Sequence, residues 1–212
     1  MSNGFTYFAI DVLSDIVIKS TEVERIMINE FCLEALEKSV RLLAQETVGL
    51  LESAGLKISF AESCTGGLLS KLITDISGAS GVFECGIVSY SNRVKVNVLG
   101  VNADTIEEYT QVSEQTALEM AERVKNLANA DIGISTTGAS GPASEANAQA
   151  GISFVALCCN QDKKCIFIDT RKNSLDREQN RLYTAKCALR LVCDYVKRIP
   201  KQEENYEQEE KE

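Results

Sequence analysis

The chain contains no histidine and no tryptophan, only two prolines, and 22 basic residues against 31 acidic ones. The missing histidine is the most restrictive absence: it excludes a Ser-His-Asp triad, a histidine general base and histidine-ligated zinc or iron, so no metal and no cofactor is expected. The shortage of positive charge, a net −9, removes the footprint needed to bind along a phosphate backbone, so nucleic acid is not an expected partner, although a local pocket for one phosphate is compatible. Long apolar runs are also missing. The apolar stretches of residues 1–20 are interrupted by Asp11 and Asp15 and follow no basic segment, so neither a signal peptide nor a membrane span is expected and the chain is read as cytoplasmic. Eight cysteines are present but none forms a CxxC pair, and Cys158 and Cys159 are adjacent in an apolar run. They read as small buried hydrophobes of a reducing compartment.

What is present is an ordinary globular composition, 44% hydrophobic and 25% charged, enough for one domain with a sizeable core. That domain is expected over residues 31–199. It lies between a variable extension, residues 1–30, and an acidic tail, residues 200–212, whose composition favours a solvated, disordered segment. From Phe31 to Ala54, the residues Leu33, Leu36, Val40, Leu43, Thr47 and Leu51 step by three and four, the period of an amphipathic helix ending at Gly55. Leu56 to Ala61 reads as a strand, and Ser63 to Gly67 as a tight glycine turn into a helix reaching about Ile76. Val82 to Tyr90 is a second strand with Gly86 inside it, and Asn92 to Leu99 a short helix stopped at Gly100. Ser113 is a good N-cap for a helix whose inner face carries Ala117, Met120, Ala121, Val124 and Ala128. Asp131 to Thr137 predicts a third strand, Gly138 to Ala150 a loop of small residues, and Gly151 to Cys159 with Lys164 to Asp169 a hairpin. A last helix, Leu175 to Arg198, aligns Leu182, Ala185, Leu189, Val192 and Val196. This alternation predicts an α/β fold, a three-layer αβα sandwich with a mixed, mostly parallel sheet.

In such sheets ligands gather beyond the carboxyl ends of strands, which singles out two segments. The first is Ala61-Glu62-Ser63-Cys64-Thr65-Gly66-Gly67. Its glycines let a ligand approach the backbone, and the N–H groups of the following helix can hold an oxyanion or phosphate. Glu62, Thr65, Gly66 and Gly67 are therefore candidate substrate contacts. The segment lacks the GxxxxGK pattern of a nucleoside triphosphate loop. Spacing leaves Ser63 as either a helix N-cap or a nucleophile, and Cys64, with no histidine to hold a thiolate, reads as a packed side chain. The second segment, Thr136-Thr137-Gly138-Ala139-Ser140-Gly141-Pro142, is either a plain surface loop or a polar cradle for a carboxamide or phosphate through Thr137, Gly138 and Ser140. Without histidine, a serine is activated by a desolvated lysine or through a tyrosine relay. Tyr90 and Lys95, at the end of a neighbouring strand, read either as the pair placed for that task or as plain surface residues. Arg177 and Arg181, one turn apart, suit either a phosphate grip or an exposed helix.

These segments occur in one order: AESCTGGLLSKLITDISGASGVFECGIVSYSNRVKVNVLGV over residues 61–101, VSEQTALEMAE from Val112, TTGASGP from Thr136 and DREQNRLYTAKCAL from Asp176. In that order they resemble the CinA C-terminal family over roughly residues 38–198. Its stand-alone members of the PncC type are nicotinamide mononucleotide deamidases, which implies hydrolysis of the carboxamide to nicotinic acid mononucleotide and ammonia in pyridine nucleotide salvage. The family's serine, tyrosine and lysine fall on Ser63, Tyr90 and Lys95, and its phosphate-side arginine on Arg177. The resemblance also implies a homo-oligomer, and no pyrophosphatase activity, which belongs to a further domain of larger members. One stretch departs: Ala143 to Ala150 reads ASEANAQA where the family continues through glycines to Lys-Pro-Val-Gly.

The leading reading is thus an amidohydrolase acting on a pyridine mononucleotide. The altered loop supports a second, a non-catalytic nucleotide-binding or regulatory protein. A third, an interaction protein docking through the tail or extension, has no residue pattern behind it.

Overall fold

The computed structural model describes residues 22–141, 150–160, 162–173 and 175–199, with side chains from Leu33 onward. The acidic tail and most of the extension expected at 1–30 lie outside these residues. The first helix, α1 (Glu22–Ala54), begins earlier than the apolar period predicts, because residues 22–30 hold no proline or glycine to stop a helix. The face predicted for it is the one that packs: Val40, Leu43, Ala44, Thr47, Val48 and Leu51 are buried.

Five strands follow, β1 (Ile58–Glu62), β2 (Phe83–Val88), β3 (Ile132–Ala139), β4 (Ile152–Cys158) and β5 (Lys163–Asp169), in the sheet order β2-β1-β3-β4-β5. β1 pairs in parallel with β2 and β3, whereas β3–β4 and β4–β5 are antiparallel. The result is the expected mixed sheet with a parallel centre. β3 runs two residues past the predicted end, because Gly138 and Ala139 pair with Ser153 and Ile152 of β4.

The other helices are α2 (Leu68–Thr74), α3 (Asn92–Val94), α4 (Ala103–Tyr109), α5 (Glu114–Ala128) and α6 (Arg177–Val196). α4 was not expected from periodicity; its signal was Asn102, whose side chain caps the N–H of Asp104 at 3.1 Å. Strand alternation sorts side chains into two cores. Ile58, Phe60, Ile132, Ile134, Val155 and Leu157 face α1, α2 and α6. Ala61 lies with Met120 and Val124 of α5, and Ala156 and Cys158 with Ala117 and Ala121. Helices therefore cover both faces, making three layers.

The register positions the functional end. Glu62 lies opposite Val88 on one side and Thr136 on the other, so Ser63 and Ser89 leave the carboxyl edge beside Thr137 of β3. The chain passes from β1 to β2 on one side and returns to β3 on the other, which makes the β1/β3 boundary the switch point where ligands bind in open α/β sheets. Among the described residues no helix is long and apolar enough to cross a membrane.

Candidate active site

Ser63 follows β1 directly, and its N–H donates to Thr136 O of β3 at 2.9 Å. It does not cap α2. The N-cap is Gly67, at φ 94°, a left-handed conformation that favours glycine. The capping task falls to Glu62, which is fully buried. Its Oε2 accepts from Thr65 Oγ1 (2.7 Å), Gly67 N (2.9 Å) and Leu69 N (3.0 Å), and its Oε1 from Ser70 N (2.8 Å) and Ser70 Oγ (2.7 Å). The carboxylate thus shapes the loop from below and neutralises the helix N-terminus. Gly86 of β2 makes room for this, since a Cβ there would sit 2.2 Å from Ser70 Oγ.

Released from capping, the Ser63 hydroxyl meets Lys95. Lys95 opens a π-helical turn, Lys95–Leu99, that continues α3, a distortion frequent at functional sites. The lysine is 1% exposed and Ser63 is 7% exposed. Lys95 Nζ lies 2.9 Å from Ser63 Oγ and donates to Ser89 O at 2.8 Å. Cys64, the neighbouring thiol, is buried, and burial pushes it up from an ordinary 9 to about 12. It stays protonated, as expected of a packed side chain and not of a nucleophile.

Of the N–H groups around the glycine turn and helix start that could hold an oxyanion, two are engaged within the turn. Gly66 N donates to Ser63 O at 3.2 Å and Gly67 N to Glu62, because the turn closes on itself. Among the described residues no acceptor outside Cys64 itself takes the N–H of Cys64 or Thr65, the Cys64 N–H lying against its own thiol, so these two are the donors left beside Ser63.

The outer wall comes from α6. Asp176 caps it in a reciprocal box with Gln179, its side chain accepting from Gln179 N at 2.8 Å. This cap holds Arg177 outward, where its guanidinium donates to Gly141 O (2.7 Å) and to Tyr90 Oη (3.0 Å). Tyr90 is 61% exposed, and its hydroxyl accepts from Arg177 at the rim. Arg181 turns inward: both Nε (3.2 Å) and a terminal nitrogen (2.6 Å) donate to Thr65 O, clamping the Ser63–Gly67 turn from α6.

With this geometry in hand, comparison with known proteins finds that residues 40–196 match the CinA C-terminal domain. The chain belongs to that family. A Thermoanaerobacter sp. (strain X514) protein that carries the competence-damage inducible name is 44% identical over 155 residues, covering 73% of this chain and 37% of that protein. A CinA-like protein of Chlorobium phaeobacteroides is 41% identical over 149 residues, covering 68% and 35%. The chain thus spans about a third of the length of the curated relatives it matches. The solved competence/damage inducible protein CihA of Agrobacterium tumefaciens superposes with a TM-score of 0.70 at 31% identity, over 75% of this chain and 96% of that one. The competence damage-inducible protein A of Klebsiella pneumoniae subsp. pneumoniae MGH 78578 gives 0.72 at 26%, over 76% and 99%.

In this CinA domain the β3 side of the site is built more from structure than from free polar groups. Thr136 Oγ1 lies 2.7 Å from Thr65 Oγ1, joining the two loops, and Thr137 Oγ1 donates to Gln111 O at 2.5 Å. A Cβ on Gly138 would meet Ser153 Cβ at 2.5 Å, so this glycine serves the β3–β4 contact. Ser140 is buried and its carbonyl accepts from Asn180 Nδ2 at 3.0 Å. Residues 142–149, which hold nearly all of the departing stretch, lie outside the described residues. Sequence reasoning overlooked Ser89 and Asn180, which act through a backbone carbonyl and a loop carbonyl. Among the described residues no group of three or more Cys, Asp or Glu is placed to hold a metal ion.

Proposed function

We propose that this domain is a serine amidohydrolase that converts nicotinamide mononucleotide to nicotinic acid mononucleotide and ammonia. The observation that carries the reading is the 2.9 Å approach of buried Lys95 Nζ to Ser63 Oγ at the switch point of the sheet. A serine needs a base to become a nucleophile, and this chain has no histidine to supply one. The near-complete burial of Lys95 favours the uncharged amine that can act as that base.

In this reading Ser63 Oγ adds to the carboxamide carbon as its proton passes to Lys95 Nζ, and the carbonyl electron pair moves onto oxygen. The N–H groups of Cys64 and Thr65 receive that oxyanion. Collapse breaks the C–N bond, with the proton passing from Nζ to the leaving nitrogen. Water then hydrolyses the acyl-serine, giving one proton to Nζ, which returns it to Ser63 Oγ. Arg177, with Tyr90 beside it, offers the substrate phosphate a charged partner at the rim in exchange for its present neutral acceptors. Glu62 and Arg181 hold the turn, and neither needs to touch substrate.

The test is ammonia release from nicotinamide mononucleotide by the purified chain. Ser63→Ala is expected to abolish release while the ligand still raises the thermal midpoint. Retained release would remove Ser63 from the mechanism, and a thermal shift without release from the unsubstituted chain would favour the binding-protein reading.

A further inference from the structure

Among the described residues, one buried side-chain oxygen has no hydrogen-bond partner: Oγ of Ser89. The residue is fully buried and bridges the two halves of the proposed chemistry. Its N–H donates to Glu62 O at the end of β1 at 2.8 Å, and its carbonyl accepts from Lys95 Nζ at 2.8 Å. Both backbone groups are thus satisfied while the hydroxyl between them is not. Buried polar groups are nearly always paired, and an unpaired one destabilises the state in which it stands alone.

We propose that Ser89 is a positioning residue for Lys95, its hydroxyl taking a hydrogen bond from Nζ once the lysine carries the Ser63 proton. This rests on the serine–lysine reading above. In the resting site Nζ faces Ser63 Oγ. When the O–H bond of Ser63 breaks, the proton adds to the lone pair of Nζ, and the resulting ammonium turns from Oγ toward the leaving nitrogen. A turning ammonium exchanges its acceptors. The Ser89 hydroxyl belongs to the residue whose carbonyl already holds Nζ, and it is the acceptor there with no partner of its own. A contact absent at rest and present after proton transfer stabilises the charged state selectively, which is the condition for accelerating a step.

The test compares the full chain with Ser89→Ala and Ser89→Thr by three readouts. These are ammonia release from nicotinamide mononucleotide, the rate at which a fluorophosphonate labels Ser63 with loss of fluoride, and the thermal midpoint. Ser89→Ala is expected to slow release and labelling about tenfold, with KM changed by less than about twofold and the midpoint equal or higher. Ser89→Thr, which restores a hydroxyl, should recover most of the rate. Labelling of Ser89→Ala at the unsubstituted rate would overturn the proposal and leave the serine–lysine reading standing. A lower midpoint in Ser89→Ala that accompanies the slower rate would also overturn it, by showing that the hydroxyl serves the fold, for instance through a bound water. Labelling without ammonia release would end the mononucleotide reading while the labelling rates still decide the role of Ser89. Absence of labelling at Ser63 in the unsubstituted chain would overturn both.

Discussion

A lysine amine buried against a serine hydroxyl has few uses in a fold, and its removal separates them. Lys95→Met keeps the side-chain length and apolar body but deletes the base, and ammonia release is expected to fall by about 10²–10⁴-fold, as general-base losses do. Lys95→Arg, which stays charged, should be no better. Retention of more than about a tenth of the rate in either variant would place the base elsewhere. At this scale the sequence was informative where residue type and order carry the signal: a histidine-free chain offers few activators, the resemblance singled out Ser63 and Lys95, and the fold brings the two within 2.9 Å. It was uninformative about direction. Tyr90 was read only toward the lysine, and its hydroxyl also takes a hydrogen bond from Arg177. Arg181, spaced like a phosphate ligand, holds the Thr65 carbonyl instead. A one-dimensional pattern does not say which face of a loop a side chain takes.

The elements that present these residues depend on a few local devices. Asp176 and Gln179 cap α6 reciprocally, and Arg177 extends from the first turn so formed. Asp176→Ala is expected to cost about 1 kcal/mol of unfolding free energy and to raise KM for the mononucleotide by loosening Arg177, with kcat little changed; urea denaturation and steady-state kinetics check the two halves. Gly86→Ala places a Cβ within 2.2 Å of Ser70 Oγ. It should cost about 1–3 kcal/mol and lower kcat, because Ser70 is one of the donors that orient Glu62 beneath the nucleophile turn. The glycine inside the strand and the helix after Gly67 were both visible in the sequence, but the close contact between them was not. α4 was missed altogether, since its apolar pattern is short and its cap residue, Asn102, was not read as one.

Across the whole molecule, buried thiols link stability to pH. Burial pushes Cys64 and Cys165 up to about 12 and Cys187 to about 11, from an ordinary 9. The folded chain therefore keeps these protons in a range where the unfolded chain loses them. Stability from this source is complete below pH 9 and falls as pH rises from 9 toward 12. Cys64 alone should account for about 1 kcal/mol at pH 10. Denaturant midpoints should drop between pH 8 and pH 10; an unchanged midpoint would mean that these thiols ionise as freely in the folded chain as in the unfolded one.

The sequence by itself determined the class of fold, the faces of α1, α5 and α6 and the exclusion of imidazole chemistry, because hydrophobic period and residue type are local properties. The CinA resemblance was likewise carried by residue order alone. Tertiary structure decided what period and order do not encode. Strand register set Ser63, Ser89 and Thr137 side by side, a π-helical turn aimed Lys95 at the serine, and the carboxylate of Glu62 took the capping role that left the Ser63 hydroxyl available. Each of these depends on groups far apart in the chain meeting within hydrogen-bond distance, and only the packed sheet brings them there.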